Sequence, residues 1–508
     1  MAYDQGRTPL FDALKRYIAD DVLPMHVPGH KQGRGLPEFQ RFVGKPVLAM
    51  DLTCLPDLDN ICNPRGVLAE AEALAAQAYG AEHAYFLVNG TTAGIQTLMM
   101  AVCRPGEEII IPRNAHKSAM GGLVLSGARP VYIEPEMNRE FGISMGITPE
   151  RVEKAIRLHP RAKAVFVVYP NYYGTACDLE GIVRVAHSHK IPVIVDEAHG
   201  AHFHFHPDLP PSAMECGADL VAASAHKLTG SMTQSSLLLM QGRLVDHRRV
   251  KAALNLTQTT SPSYVLLASL DVARKQMALH GRKLLDRTLA LAQELRQEVK
   301  KLPGLVLLGE NVEGLPGCQA VDPTKVTINV QRLGITGYEA EKILRRQFHL
   351  QVELSDLYNI ILLVTIGDDR RTIARAKGAL RGLVASRRRH NLVRYCPPLP
   401  DIPPVGVLPR EAFYGEKRRV PLEEAAGEIS AETITAYPPG IPLVCAGEYL
   451  TREVLDYIQV LKAEHAELQG AEDPELKEIQ VLKKVSALAS VQEEQEQAGT
   501  QAKMMYNS

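Results

Sequence analysis

Between residues 66 and 300, short apolar runs stop abruptly at polar side chains, and this pattern constrains the fold more than any other feature. The runs "EEIIIP", "AKAVFVVYP", "IPVIVDEAH" and "ADLVAASAHK" show no polar alternation. Such strands are buried on both faces, as in a parallel sheet covered by helices. Helical segments stand between them: "VLAEAEALAAQAYG", "TAGIQTLMMAVC", "KSAMGGLVLSG", "PERVEKAIRLHP" and "LEGIVRVAHSHK". Gly80 closes the first of these as a helix terminator. The alternation predicts an α/β domain. Right-handed crossovers then bring the strand ends, and the loops after them, to one edge where ligands bind.

The 508 residues exceed what one core holds. Residues 1–65 read as an N-terminal arm. It opens with a helix and turns irregular through "MHVPGHKQGRGLP", so it needs a surface such as a neighbouring subunit to become ordered. Residues 66–300 form the large domain. Residues 301–395 form a smaller α+β domain, with strands in "PGLVLLGE", "TKVTINVQRLG" and "NIILLVTIG" around the helix of "GYEAEKILRRQFHL". Residues 396–485 form a C-terminal domain behind the proline-rich linker "CPPLPDIPPVGVLP". Residues 486–508 are a polar tail.

A net charge of −1 offers no generic attraction for nucleic acid or an anionic membrane. No apolar run approaches the roughly 20 residues of a membrane helix. No basic segment followed by an apolar one opens the chain. The eight cysteines are scattered without a CxxC pair. That suits a reducing compartment and argues against a zinc site or disulfide scaffold. The expected setting is cytoplasmic.

The strand ends carry the chemistry. "FLVNGTTAGIQ" places Asn89, Gly90, Thr91 and Thr92 at a helix start, where free N–H groups and two hydroxyls suit an anion such as phosphate. Simple N-capping by threonine explains the same residues, and no GxxxxGK[ST] loop is present. Asp196 and Glu197 end one apolar strand; a carboxylate there must be paired, hydrated or functional. Ser224, His226 and Lys227 end another, and His116 and Lys117 follow a third. A phosphate cradle, an acid, an amine and a flat imidazole are what pyridoxal phosphate needs. Its aldehyde joins a lysine, and its ring nitrogen needs a carboxylate to stay protonated.

The long motifs "HVPGHKQGRG", "PRNAHKSAM", "VDEAHGAH", "PPSAMECGADLVAASAHKLTGSMTQSS", "TTSPSYVLLASLDVAR", "VELSDLYNI" and "YPPGIP" extend this reading. Through them the chain resembles the Orn/Lys/Arg decarboxylase family of fold-type I pyridoxal-phosphate enzymes, from about residue 7 to about 485. Within it, the chain is most similar to the compact bacterial biosynthetic arginine decarboxylases. The resemblance implies an aspartate aminotransferase-like large domain with a parallel-rich sheet, a smaller α+β domain and a C-terminal decarboxylase domain. It implies that Lys227 carries the cofactor as a Schiff base, Asp196 pairs with the ring nitrogen and His116 stacks on the ring. Thr91, Thr92 and Ser224 would hold the phosphate, with His226 beside the Schiff base. His199 stands where larger relatives carry Trp, near the ring hydroxyl. Thr260 would reach the neighbouring subunit's phosphate and make a homodimer obligatory. The implied reaction is L-arginine to agmatine and CO2 in polyamine biosynthesis. Lysine to cadaverine and ornithine to putrescine stay open, and an aminotransferase of the same fold is a more distant alternative.

Glu353 and Asp356 in "VELSD" are candidates for the distal cation of the substrate, with turn capping as the plain alternative. His202, His204 and His206 would share a face if extended. Edge or interface histidines are the expectation there rather than a metal site, because no carboxylate or cysteine ligand pattern accompanies them. "GHK" at 29–31 is expected in an arm near the site mouth, and "RRRH" at 387–390 at a solvated helix end.

Overall fold

The computed structural model describes residues 4–387, 400–437 and 440–483. The polar tail, most of "RRRH", the first part of the proline-rich linker and Pro438 and Pro439 of "YPPGIP" lie outside the described residues. The central sheet has seven strands. Their order is His83–Leu87, Ser236–Met240, Leu220–Ala223, Val193–Asp196, Val165–Val168, Glu108–Pro112 and Arg129–Ile133. From Leu220–Ala223 to Arg129–Ile133 every pairing is parallel. Ser236–Met240 runs antiparallel to both its neighbours. The sheet is therefore parallel-rich, not uniformly parallel, and one strand brings its beginning to the edge where the others end.

The apolar runs bury both faces. Ile109, Ile111, Phe166, Ile194, Ala222 and Leu238 point into one core. Ile110, Val165, Val167, Val195, Val221 and Leu239 point into the other. This is the two-residue alternation of a strand with apolar side chains on both sides.

A single helix, Tyr264–Lys301, spans two cores. Its first part sets Tyr264, Leu267, Met277 and Leu285 against the central sheet. Its last part sets Leu291, Leu295 and Val299 against a second, four-stranded antiparallel sheet. That sheet runs Val306–Leu307, Lys325–Asn329, Asn359–Leu363, Leu354–Ser355. The change of core thus falls inside the helix and not at its end. A short antiparallel ribbon, Thr175–Ala176 with Ala320–Val321, joins the two parts a second time. The C-terminal segment packs around Val420, Val444, Leu450, Ile458 and Val481, a core that it shares with Tyr338 and Leu357 of the second-sheet part. It is pinned by Arg113, whose guanidinium donates to Glu448 Oε2 at 2.8 Å and to Pro442 O at 2.8 Å. Both charged groups are buried, so neither has water to fall back on.

The helix that opens the N-terminal arm finds its surface within the chain. The helix Pro9–Ala19 buries Leu10, Ala13 and Leu14. Asp271 Oδ2 accepts from Leu10 N at 3.0 Å and Phe11 N at 3.3 Å, satisfying N–H groups that a first turn leaves free. Arg274 donates to Asp271 Oδ1 at 2.6 Å, to Gln5 O at 2.9 Å and to Arg7 O at 2.7 Å. The following stretch differs: Leu23, Met25, Val27, Phe39 and Phe42 are exposed. Among the described residues, no helix is long and apolar enough to cross a membrane.

Arg274 and Asp271 are both almost fully buried. Replacing Arg274 with Met should cost about 3–5 kcal/mol, because Asp271 is left buried without its partner. The checks are denaturant unfolding and limited proteolysis, with cleavage before residue 20 accelerated.

Candidate active site

A cavity of about 330 Å³ opens at the edge where the parallel strands end. Its size is within the range of small-molecule sites. One wall is the start of the helix Gly90–Val102, whose first turn leaves N–H groups free. Gly90 has a φ of 71°, a left-handed conformation that costs glycine little. Thr91 Oγ1 is hydrogen-bonded to Ser224 Oγ and, at 3.0 Å, to Ser236 Oγ. These hydroxyls meet because of strand direction. Ser224 follows the parallel strand Leu220–Ala223, and Ser236 begins the antiparallel one beside it. Thr92 is exposed on the same turn and lines the same cavity.

Asp196 ends its strand as a buried carboxylate lining the cavity. Its Oδ1 accepts from Ala198 N at 3.1 Å. Burial raises its pKa, with the Ala198 N–H and Lys227 opposing. Glu197 turns elsewhere: its Oε1 accepts from Ala213 N at 2.7 Å, and burial pushes its carboxyl up to about 8.

Lys227 sits in the single helical turn Ala225–Leu228 that follows Ser224. Its Nζ lies 2.7 Å from His199 Nε2 and 5.4 Å from the centre of the Tyr172 ring. Burial lowers the pKa of this amine, while Asp196 and Glu353 oppose the shift. His226 Nδ1 is 2.9 Å from the Ser235 carbonyl oxygen. A carbonyl only accepts, so Nδ1 donates, and in the neutral ring Nε2 is left as the acceptor. His116 caps the helix Lys117–Ser126, accepting at Nδ1 from Ser118 N at 3.2 Å. Burial, then Lys227 and Lys117, push its pKa down to about 4, which keeps the ring neutral and flat toward the cavity.

The structure thus brings together Thr91, Thr92, His116, Asp196, His199, Ser224, His226 and Lys227 around one cavity. It does not bring Thr260 or Asp356 there. Thr260 is exposed, and its carbonyl faces Cys54 Sγ at 3.9 Å. Asp356 is committed to a turn: Oδ1 accepts from Tyr358 N and Asn359 N, both at 2.7 Å, and Oδ2 accepts from the Tyr173 hydroxyl at 2.8 Å. It lines a separate cavity of about 80 Å³. Glu353 is exposed, yet its charge acts on both Lys227 and Lys325. The extended reading of the histidine run is corrected, because Phe203–Phe205 form a 3₁₀ turn. His202, His204 and His206 diverge toward Asp322, Glu215 and Asp286, at 3.3, 3.4 and 2.9 Å. Among the described residues, no group of three or more His, Cys, Asp or Glu is placed to hold a metal ion. His30 of "GHK" pairs with Asp51 at 3.0 Å and accepts from Gly33 N, inside the arm's own turn.

Three residues escaped the sequence reading. Ser236 had a signal: "QSSLLLM" repeats the pattern of a serine against an apolar strand, but from the opposite end. Tyr172 follows the strand Val165–Val168 and had a positional signal only. Lys325 begins a strand of the second sheet and had none. Its Nζ lies 2.6 Å from His199 Nδ1.

The donor set suits a ligand with a phosphate at the helix start and a protonatable ring nitrogen at Asp196. The profile described as "Orn/Lys/Arg decarboxylase, major domain" matches residues 8–372, and "Orn/Lys/Arg decarboxylase, C-terminal domain" matches residues 405–482. The chain belongs to the Orn/Lys/Arg decarboxylase family. An arginine decarboxylase of Bacillus subtilis is 45% identical over 487 residues, covering 95% of this chain and 99% of that protein. The constitutive lysine decarboxylase of Escherichia coli is 27% identical, covering 90% of this chain and 78% of that protein. A solved structure of the Escherichia coli constitutive lysine decarboxylase superposes with a TM-score of 0.79 at 23% identity, covering 94% of this chain and 82% of that one. This decarboxylase-family chain therefore shares that fold, including the C-terminal segment.

Glu197, buried beside the site and turned away from its cavity, gives a pH test of the decarboxylase's folding. Its carboxyl is held at about 8 in the folded chain against an ordinary 4.5. Folding therefore takes up a proton between those values, and stability falls as pH rises through that window. Glu197→Gln removes this dependence. Its Tm relative to the parent chain should be higher at about pH 9 than at about pH 5. Thermal unfolding across pH is the check, and a constant difference would contradict it.

Proposed function

We propose that the cavity binds pyridoxal 5′-phosphate and that the enzyme decarboxylates a basic amino acid, L-arginine to agmatine and CO2. The observation that carries the reading is Lys227 and Asp196 lining one cavity with three linked hydroxyls at a helix start. The 45% identity to an arginine decarboxylase over 95% of the chain favours arginine over lysine or ornithine.

When bound, the cofactor supplies an aldehyde for a lysine and a protonated ring that draws electrons from the Cα–carboxylate bond. The chain's own residues do the rest. Thr91, Thr92 and Ser224 would hold the phosphate at the helix start, where backbone N–H groups favour an anion, with Ser236 behind Thr91. Asp196 holds the proton on the ring nitrogen. His116 lays a neutral imidazole against the ring. Lys227 would be the lysine that holds the cofactor's aldehyde, and its burial favours the free amine this needs. Lys227 or His226 then returns a proton to the α-carbon of the product. Glu353, exposed and electrostatically linked to Lys227, receives the distal cation of the substrate.

The active form we propose is a cytoplasmic homodimer, with the agmatine entering polyamine synthesis. The exposed apolar side chains between Leu23 and Phe42 supply a surface that a second copy would cover. Thr260, exposed and away from its own cavity, would serve the partner's phosphate.

Lys227→Ala should abolish both turnover and the visible absorbance of attached cofactor. Asp196→Asn should keep the phosphate contacts and lower kcat by about 10²–10³-fold. Incubation with the cofactor and each of arginine, lysine and ornithine, reading CO2 and amine, identifies the substrate. Amino-group transfer to pyruvate without CO2 would overturn the decarboxylase reading, and greater turnover of lysine would overturn the choice of arginine.

A further inference from the structure

His199 is touched by an amine on each ring nitrogen. Lys227 Nζ lies 2.7 Å from Nε2 and Lys325 Nζ lies 2.6 Å from Nδ1. His199 and Lys325 are buried, Lys325 to 1% exposure. The two lysines come from different sheets. Lys325 begins the strand Lys325–Asn329 of the second sheet, just past the ribbon that ties that sheet to the first. Its stem passes over Gly174, where a Cβ would stand 3.0 Å from Lys325 Cβ. Its Nζ also donates to the Tyr172 carbonyl at 3.2 Å.

This arrangement limits the proton count. A neutral imidazole has one N–H and one bare nitrogen. The bare nitrogen needs an amine that donates. The N–H needs an amine with a lone pair, and an ammonium has none. Both hydrogen bonds form only when at least one of the two lysines is neutral, so the pair carries at most one extra proton. Two ammonium groups across one buried ring would also repel.

We propose that Lys325 is a positioning residue of this enzyme, which with His199 and Lys227 shares a single proton so that Lys227 is presented as the free amine. The inference rests on Lys227 being the lysine that takes the cofactor. In one form, charged Lys325 donates to Nδ1, and Nε2–H donates to neutral Lys227. In the other, Lys227 is charged, Nε2 accepts, and Nδ1–H donates to neutral Lys325. Passing from the second form to the first moves a proton from Lys227 to Nε2 as another moves from Nδ1 to Lys325. The imidazole gains one proton and loses one, the total charge is unchanged, and no electrons transfer.

Burial disfavours a charge on Lys325, and Asp322 and Glu353 oppose that shift. Asp322, three residues before it, is fully buried. Burial raises that carboxyl, but His202, Thr324 and Lys325 together bring it below its ordinary range. Glu353 adds a second negative charge, while Lys227 opposes. Burial brings Lys325 down to about 7 overall, so its proton is exchangeable near neutral pH. Around His199, burial and the charges of Lys227, Lys325, His116 and His226 all disfavour the imidazolium, which keeps the ring neutral as the count requires. Lys227 itself faces Asp196 and Glu353.

The test uses the full chain freed of cofactor. Pyridoxal phosphate is added between about pH 6 and pH 9, the rate of appearance of visible absorbance is followed, and borohydride trapping with peptide mapping identifies the labelled lysine. Lys325→Met leaves Lys227 as the sole amine on His199. The rate should fall about tenfold at neutral pH, with its midpoint raised by about one pH unit. Lys325→Arg keeps a permanent charge on the Nδ1 side, so its midpoint should stay at or below that of the parent chain. Should Lys325→Met unfold by stranding Asp322, Lys325→Gln combined with Asp322→Asn carries the same expectation of a raised midpoint. Equal slowing of all variants at every pH, with no shift of midpoint, would overturn the proposal. Trapping on a lysine other than Lys227 would instead overturn the cofactor assignment beneath it, whatever the pH profiles.

Discussion

The central sheet is apolar on both faces, and its polar chemistry gathers at its edge. Ile194 packs into one core and Val195 into the other, so the first place in that strand where a carboxylate faces a cavity is its end, at Asp196. The same holds for Ser224 after Ala223 and for the helix start after Leu87. Parallel pairing collects these ends on one side. The antiparallel strand Ser236–Met240 adds a serine there from its opposite terminus. The cavity is a consequence of the buried sheet, and its low dielectric shifts Lys227 and His116 toward the neutral forms their roles need, while the Ala198 N–H and Lys227 oppose the same effect on Asp196.

A second layer of control comes from how the rest of the chain is fastened to that sheet. The ribbon Thr175–Ala176 with Ala320–Val321 fixes where the second sheet begins, and so delivers Asp322 and Lys325 to the back of the cavity. The helix Tyr264–Lys301 holds both cores at once. The buried pair Arg113–Glu448 fastens the C-terminal segment close to the loop that carries His116. The buried ion pair fixes geometry more than it adds stability, whereas the helix holds by apolar burial.

Much of the fold was legible because strands buried on both faces leave an unbroken apolar signature, and because capping residues mark the helix starts. Thr148 and Asp178 cap the helices Pro149–Leu158 and Leu179–Ser188 through their side chains. The core of the site was legible for the same reason: Thr91, Asp196, Ser224 and Lys227 sit where apolar runs stop. The direction of Ser236–Met240 was not, since a short apolar run reads the same either way. Asp356 was ambiguous, because a carboxylate that caps a turn and one that receives a cation share the same local sequence. The arm's attachment through Asp271 and Arg274 was hidden by the separation in sequence of the partners.

The sequence by itself determined the α/β alternation, the edge on which the chemistry gathers, and the acid, amine and hydroxyls at the strand ends, because burial on both faces forces polar groups to the termini. Only the tertiary structure decided that Asp356 is spent in a turn, that the histidine run diverges, and that Lys325 reaches His199. Those outcomes depend on which distant segments meet. The meeting of Lys325 with His199 is set by a ribbon between two sheets, an arrangement with no local periodicity for a sequence to display.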